Sequence, residues 1–174
     1  MVTIVTGTTN KPTASEAIKQ FFQTHLEMDG YLYIGYPIIG TVDGAYPIDA
    51  LLISPEKGIV AFNLIEGKNT SGYEEAQDDC ANKIEAKLKG YKQLVNKRTL
   101  CVDIYVITFA PGLARCPEHD DAYPLCVNAY ELESNLSQCT WADNSYYSKV
   151  VSVLQAISSI RKGKKKRDIN CKEI

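Results

Sequence analysis

An α/β fold with a central mixed β-sheet flanked by helices follows from three observations. Apolar residues recur at helical spacing at Tyr73, Ala76, Cys80, Ile84, Leu88, Tyr91 and Val95, which predicts one long helix over 72–96. That helix lies between two apolar runs of strand character, 59–65 and 102–110. The first of these runs follows a third, 48–53, through Pro55-Glu56-Lys57-Gly58, a tight turn that pairs its strands antiparallel. Strands joined across a helix must instead pair parallel, with a right-handed crossover. Both kinds of pairing therefore meet in one sheet of four to five strands.

The remaining elements follow in order. Thr13-x-x-Glu16 has the pattern of a capping box, and Ala14, Ile18, Phe21, Phe22 and Leu26 continue it as a helix over 14–27. Asp29-Gly30 ends that helix. Residues 31–39 mix aromatic and aliphatic side chains and predict a strand, bent at Gly35 or Pro37; 40–45 is a turn. Ser71-x-x-Glu74 is a second capping box, at the start of the long helix. Residues 111–122 form a polar loop, 124–127 a short strand and 129–136 a short helix. Tyr146, Val150, Val153, Leu154, Ile157 and Ile160 place the last helix over 145–160. One domain, 1–160, and a basic tail or linker, 161–174, account for the chain.

Composition narrows the functional classes. The chain has 174 residues, 45% hydrophobic and 23% charged, as expected for one globular domain with a full core. No apolar run reaches the roughly 18–20 residues of a membrane span. The N-terminus lacks a basic segment followed by a long apolar stretch. Six cysteines, at 80, 101, 116, 126, 139 and 171, include no Cys-x-x-Cys pair and read as reduced thiols in a cytoplasmic protein. Cys116, His119, Cys126 and Cys139 match no compact zinc spacing. The net charge of −2 conceals an asymmetry. Residues 1–160 hold 12 Lys and Arg against 19 Asp and Glu, whereas 161–174 hold 7 against 2. An acidic body argues against nucleic acid coating the whole surface, and Arg161 to Arg167 is the exception. Phosphate-loop, dinucleotide and Gly-x-Ser-x-Gly signatures do not occur.

Chemistry is suggested at one place, the hairpin of 46–68. Asp49 enters its first strand, and Glu66 and Lys68 leave its second. Mg2+ takes hard oxygen ligands, commonly one or two carboxylates with water and phosphate. Such an ion lowers the pKa of bound water and stabilises charge at phosphorus. Asp49 and Glu66 are the candidate metal ligands, for Mg2+ or Mn2+. Lys68 is the candidate for orienting the attacking water, Glu16 could complete the acidic cluster, and Gln93 could contact water or phosphate. Each also has an ordinary structural reading: turn capping for Asp49, a solvated strand end for Glu66 and Lys68, helix capping for Glu16, helix surface for Gln93.

The helix bearing Glu16, followed by Ile48-Asp49-Ala50-Leu51-Leu52-Ile53-Ser54-Pro55-Glu56-Lys57-Gly58-Ile59-Val60-Ala61-Phe62, resembles the nuclease-related domain (NERD) of the PD-(D/E)XK nuclease superfamily. The resemblance covers about 14–110. It implies a restriction-endonuclease-like core, action on DNA, a divalent metal, and catalytic roles for Asp49, Glu66, Lys68 and Glu16. The exit through 157–167 also looks like that of such domains when fused N-terminal to a superfamily-one helicase, which would make a C-terminal helicase domain of the same chain a partner.

One departure from the family pattern divides the reading. The second strand should carry Glu-x-Lys about five residues after the turn glycine, yet Asn63 and Ile65 stand there. Glu66-x-Lys68 arrives three residues late, and a three-residue offset inverts strand parity. Either Glu66 and Lys68 have migrated and still serve, or the site is degenerate and the domain is a DNA-binding or protein-docking module. Lys164, Lys165, Lys166 and Arg167 are the candidate phosphate contacts; they suit a linker equally well.

Overall fold

Short apolar stretches of this chain pair into one six-stranded mixed sheet, flanked by helices on both faces. The structure is a computed structural model that describes residues 1–36, 38–41 and 44–154. Its strands are β1 (Val2–Thr6), β2 (Gly30–Ile34), β5 (Ala50–Ser54), β6 (Gly58–Leu64), β9 (Ile104–Phe109) and β10 (Leu125–Cys126), and they lie in the spatial order β1-β2-β5-β6-β9-β10. β5 pairs antiparallel with both β2 and β6. The pairs β1–β2, β6–β9 and β9–β10 are parallel. The expected parallel pairing across the long helix is thus present between β6 and β9. β1, an edge strand, is an addition to the expected set.

Strand alternation sorts the core into two faces. Leu32, Ile34, Ala50, Leu52, Val60 and Phe62 pack with Ala14, Ile18, Phe21 and Phe22 of α1 (Pro12–Thr24). Leu132 and Leu136 of α3 (Ala129–Leu136) join the same cluster. The alternate residues Tyr33, Leu51, Ile53, Ile59 and Ala61 pack with Cys80, Ile84 and Leu88 of α2 (Tyr73–Leu88). Val150, Val153 and Leu154, from the helical segment 147–154, complete that second face. The two long helices therefore cover opposite faces.

Several boundaries differ from expectation for identifiable reasons. The strand expected over 31–39 ends at Ile34, because Gly35 turns with φ of 79° and donates its N–H to the Asp49 carbonyl at 3.0 Å. A side chain there would meet the Thr8 carbonyl. The chain resumes in a separate hairpin of β3 (Ile38–Thr41) and β4 (Gly44–Tyr46). The long helix stops at Leu88 rather than 96. Tyr91, Leu94 and Val95 continue the apolar spacing but lie in a 3-10 turn, Lys92–Leu94, and in a hairpin of β7 (Val95–Asn96) and β8 (Thr99–Leu100). The last helix is described to 154, and its expected remainder lies outside the described residues.

The β5–β6 turn is fixed by its own side chains. Ser54 Oγ accepts the N–H groups of Glu56 and Lys57, both at 3.1 Å, and lies near Glu56 Oε1. Gly58 supplies the positive φ that returns the chain. From the far end of the chain, Trp141 Nε1 donates to the Ser54 carbonyl at 2.8 Å and clamps the hairpin.

Candidate functional site

The hairpin's open end sits beside the start of α1. Asp49 directly precedes β5, and one step beyond the Ala50↔Phe62 pair places it opposite Asn63. Asp49 Oδ2 accepts the Leu64 N–H at 2.8 Å and the Lys11 ammonium at 2.8 Å. The same ammonium donates to the Leu64 carbonyl at 2.6 Å. Both side chains of this ion pair are about three-quarters buried, with 28% and 24% of the lysine and aspartate exposed. One cation is thus held between a carboxylate oxygen and a main-chain carbonyl oxygen.

Glu66 follows its parity to the α1 side of the sheet. Its carboxylate accepts the N–H groups of Ala14 at 2.8 Å and Thr13 at 2.9 Å. These are among the first amides of α1, which lack intrahelical partners, and a carboxylate there also suits the helix dipole. Hydrogen bonds from Ala14 and Thr13, with a smaller contribution from the Lys11 charge, hold the Glu66 carboxyl below its ordinary value. Glu66 performs the capping expected of Thr13-x-x-Glu16: the N-cap residue is Lys11, and its side chain makes no cap hydrogen bond. The second expected capping box is not formed either. Gly72 caps α2 in the left-handed conformation, without a side-chain bond.

The other expected site residues lie apart. Glu16 is exposed and meets Gln20 Nε2 at 3.3 Å. Lys68 is exposed beyond Gly67. Gln93 is exposed in the 3-10 turn beyond the C-terminal end of α2, whereas the N-terminal end of α2 adjoins the hairpin. Gln93 thus lies at the end of α2 away from the open end of the hairpin. Lys164, Lys165, Lys166 and Arg167 lie outside the described residues.

At the position where a second carboxylate is expected, the structure has a neutral network. Asn63 Nδ2 donates to Thr108 Oγ1 at 3.1 Å. Gln77, buried on α2, donates through Nε2 to the same hydroxyl at 2.8 Å and to the Pro124 carbonyl at 2.9 Å. The site opens into a polar cavity bordered by Asn10, Lys11, Asn63, Glu66, Asn69 and Ser71. Among the described residues, no group of three or more His, Cys, Asp or Glu side chains could hold a metal ion. Asp49 is matched by Lys11 and Glu66 is engaged by helix amides, so these residues do not fit a resident Mg2+ or Mn2+.

Comparison with known proteins gives no matching family model, no matching curated protein and no matching solved structure. Among the described residues, no helix is long and apolar enough to cross a membrane.

Three residues of the site were not singled out from the sequence: Lys11, Gln77 and Thr108. Lys11 carried a usable signal. A cation at a helix N-terminus opposes the helix dipole, so a lysine immediately before Pro12 needs a partner elsewhere. Gln77 carried none, because it reads as the polar side of a helix.

Proposed function

We propose that this chain is a nuclease-fold module that binds DNA without hydrolysing it, acting in the cytoplasm next to a helicase domain. The observation that carries the non-catalytic part is the Lys11 ammonium held by Asp49 and the Leu64 carbonyl. Hydrolysis through a metal needs an ion at the carboxylate to activate water, and here that carboxylate already has a cation. The amide of Asn63, turned to Thr108, supplies no second negative charge. Support for DNA as the ligand comes from the basic run at 161–167 set against an acidic body and from the family resemblance. Support for the cytoplasm comes from the free thiols of Cys80, Cys101, Cys116, Cys126 and Cys139.

The test pairs cleavage with binding. Single- and double-stranded DNA are incubated with the protein and Mg2+ or Mn2+, and duplex affinity is measured against salt with and without metal. The expected result is intact DNA and metal-independent binding. Replacing Lys164, Lys165, Lys166 and Arg167 by Ala should reduce the slope of log K against log salt by about 3–4, from roughly 0.9 per phosphate contact. Cleavage that disappears in Asp49→Ala would restore the migrated-site reading. Affinity indifferent to salt and to the tail would leave protein docking as the module's role.

A further inference from the structure

We infer that the turn between β7 and β8 is a phosphate-contacting finger for nucleic acid, formed by Lys97 and Arg98 with Lys92 of the preceding 3-10 turn, beyond the end of α2 away from Asp49. The inference rests on the DNA-binding reading and gives it a surface within the folded body. The two fail differently. A wild-type protein that binds no DNA sinks the reading and this inference with it; DNA binding indifferent to this turn sinks the inference alone.

Positive charge is concentrated here. Of the 12 Lys and Arg in residues 1–160, five stand in 87–98, a stretch with no Asp or Glu. Lys87 and Lys89 have an ordinary explanation, since cations suit the C-terminal end of a helix, and Lys89 lies 3.6 Å from Glu85. Lys97 and Arg98 have no such explanation. They are the two residues of a hairpin turn between the paired Asn96 and Thr99, and both have positive φ, 52° and 74°. A turn with two positive φ values favours Asn-Gly, so a lysine and an arginine there carry backbone strain. Nothing within the protein offsets it. Both residues are exposed, and among the described residues neither side chain has an ion pair or hydrogen bond. Strain of this kind collects at binding sites, and Lys and Arg are the side chains that neutralise backbone phosphates. Lys92 is exposed as well. Arg98 borders a groove that also carries Glu85 and Asp103, so the favourable approach is to the tip of the turn. Residues 1–160 outside this stretch hold 7 Lys and Arg against 19 Asp and Glu, a balance that repels a duplex elsewhere.

The experiment measures affinity for a short DNA duplex against salt, with thermal melts, for wild type and Lys97→Asn/Arg98→Gly. That variant installs the residues the turn prefers, so it should melt about 2–4 °C higher. Its slope of log K against log salt should fall by about 2, from roughly 0.9 per phosphate contact. A gain in stability with a loss of binding separates a ligand role from a folding defect. Adding Lys92→Gln should lower the slope by about 1 more. Lys19→Gln/Arg115→Gln removes the same charge from α1 and the 111–122 loop and should leave the slope unchanged. An unchanged slope in the turn variant would overturn the inference, as would an equal fall in the Lys19 and Arg115 variant. A melting temperature that does not rise would overturn it too, because the turn itself would then be using the two cations. Retention on phosphatidylserine vesicles that is lost in the turn variant, with DNA affinity intact, would overturn it in favour of a lipid surface.

Discussion

Glu66 ties the end of the hairpin to the first turn of α1, and its charge makes that tie dependent on pH. Amide hydrogen bonds from Ala14 and Thr13 favour the ionised carboxylate, so the folded chain releases this proton more readily than the unfolded chain. The contribution is therefore fully present above the ordinary glutamate value and is lost as pH falls through the lower folded-state value. Thermal melts of wild type and Glu66→Gln across the acid range should show wild type more stable near neutrality, with the two converging as the medium becomes acidic. A constant difference across that range would mean that the charge is not what holds α1. The same residue shows how far a site can be read from letters. Asp49 was legible because an acidic residue stood at the edge of an apolar strand. The destination of Glu66 was legible only in part: its parity was known, but the helix amides awaiting it belong to a segment 52 residues away.

At the scale of elements, close approach of main chains fixes the sheet. Gly30 opens β2 with φ of 121°, and a Cβ there would lie 2.2 Å from the Ile53 carbonyl oxygen. Gly30→Ala should cost about 2–4 kcal/mol in urea denaturation, from backbone strain and the clash across β2 and β5. An unchanged midpoint would show that this pair of strands can shift register. Elements whose signals were local were the readable ones. α3, expected over 129–136, occupies Ala129–Leu136, with Asn128 Oδ1 accepting the Glu131 N–H as its cap. The end of α2 was not readable in this way. Leu94 remains buried, and Tyr91 and Val95 partly so, after the helix has stopped, so apolar spacing continues where helical hydrogen bonding does not. β1 was missed although Val2 to Thr6 is a β-branched run closed by Gly7-Thr8-Thr9-Asn10, a readable strand signal; only its place beside β2 needed the structure.

Over the whole molecule, thiol chemistry reports the two packed faces. Burial pushes the thiols of Cys80 and Cys126 up to about 12 and that of Cys139 up to about 11. Thiolate is the reactive form, so these three cysteines should resist a thiol reagent in the native protein and react once it unfolds. Counting thiols with and without denaturant, followed by mass mapping, checks this; rapid native labelling of Cys80 would mean that the α2 face opens readily. The mixed sheet and its helical faces were legible as a whole because hydrophobic period and chain order constrain topology. The electrostatic character of the site was not, because Lys11 and Asp49 are 38 residues apart and meet only after β1, α1 and the hairpin have assembled.

The clamp between Trp141 and the Ser54 carbonyl gives the chain an optical consequence. Trp141 is its single tryptophan, 9% exposed, with Tyr147 packed edge-on at 6.3 Å between ring centroids. Indole emission therefore comes from one known location, the turn end of the hairpin, opposite the end that holds Asp49. Its wavelength follows the wetting of that turn, so the detachment of the C-terminal segment from the sheet has a built-in fluorescent readout that needs no label.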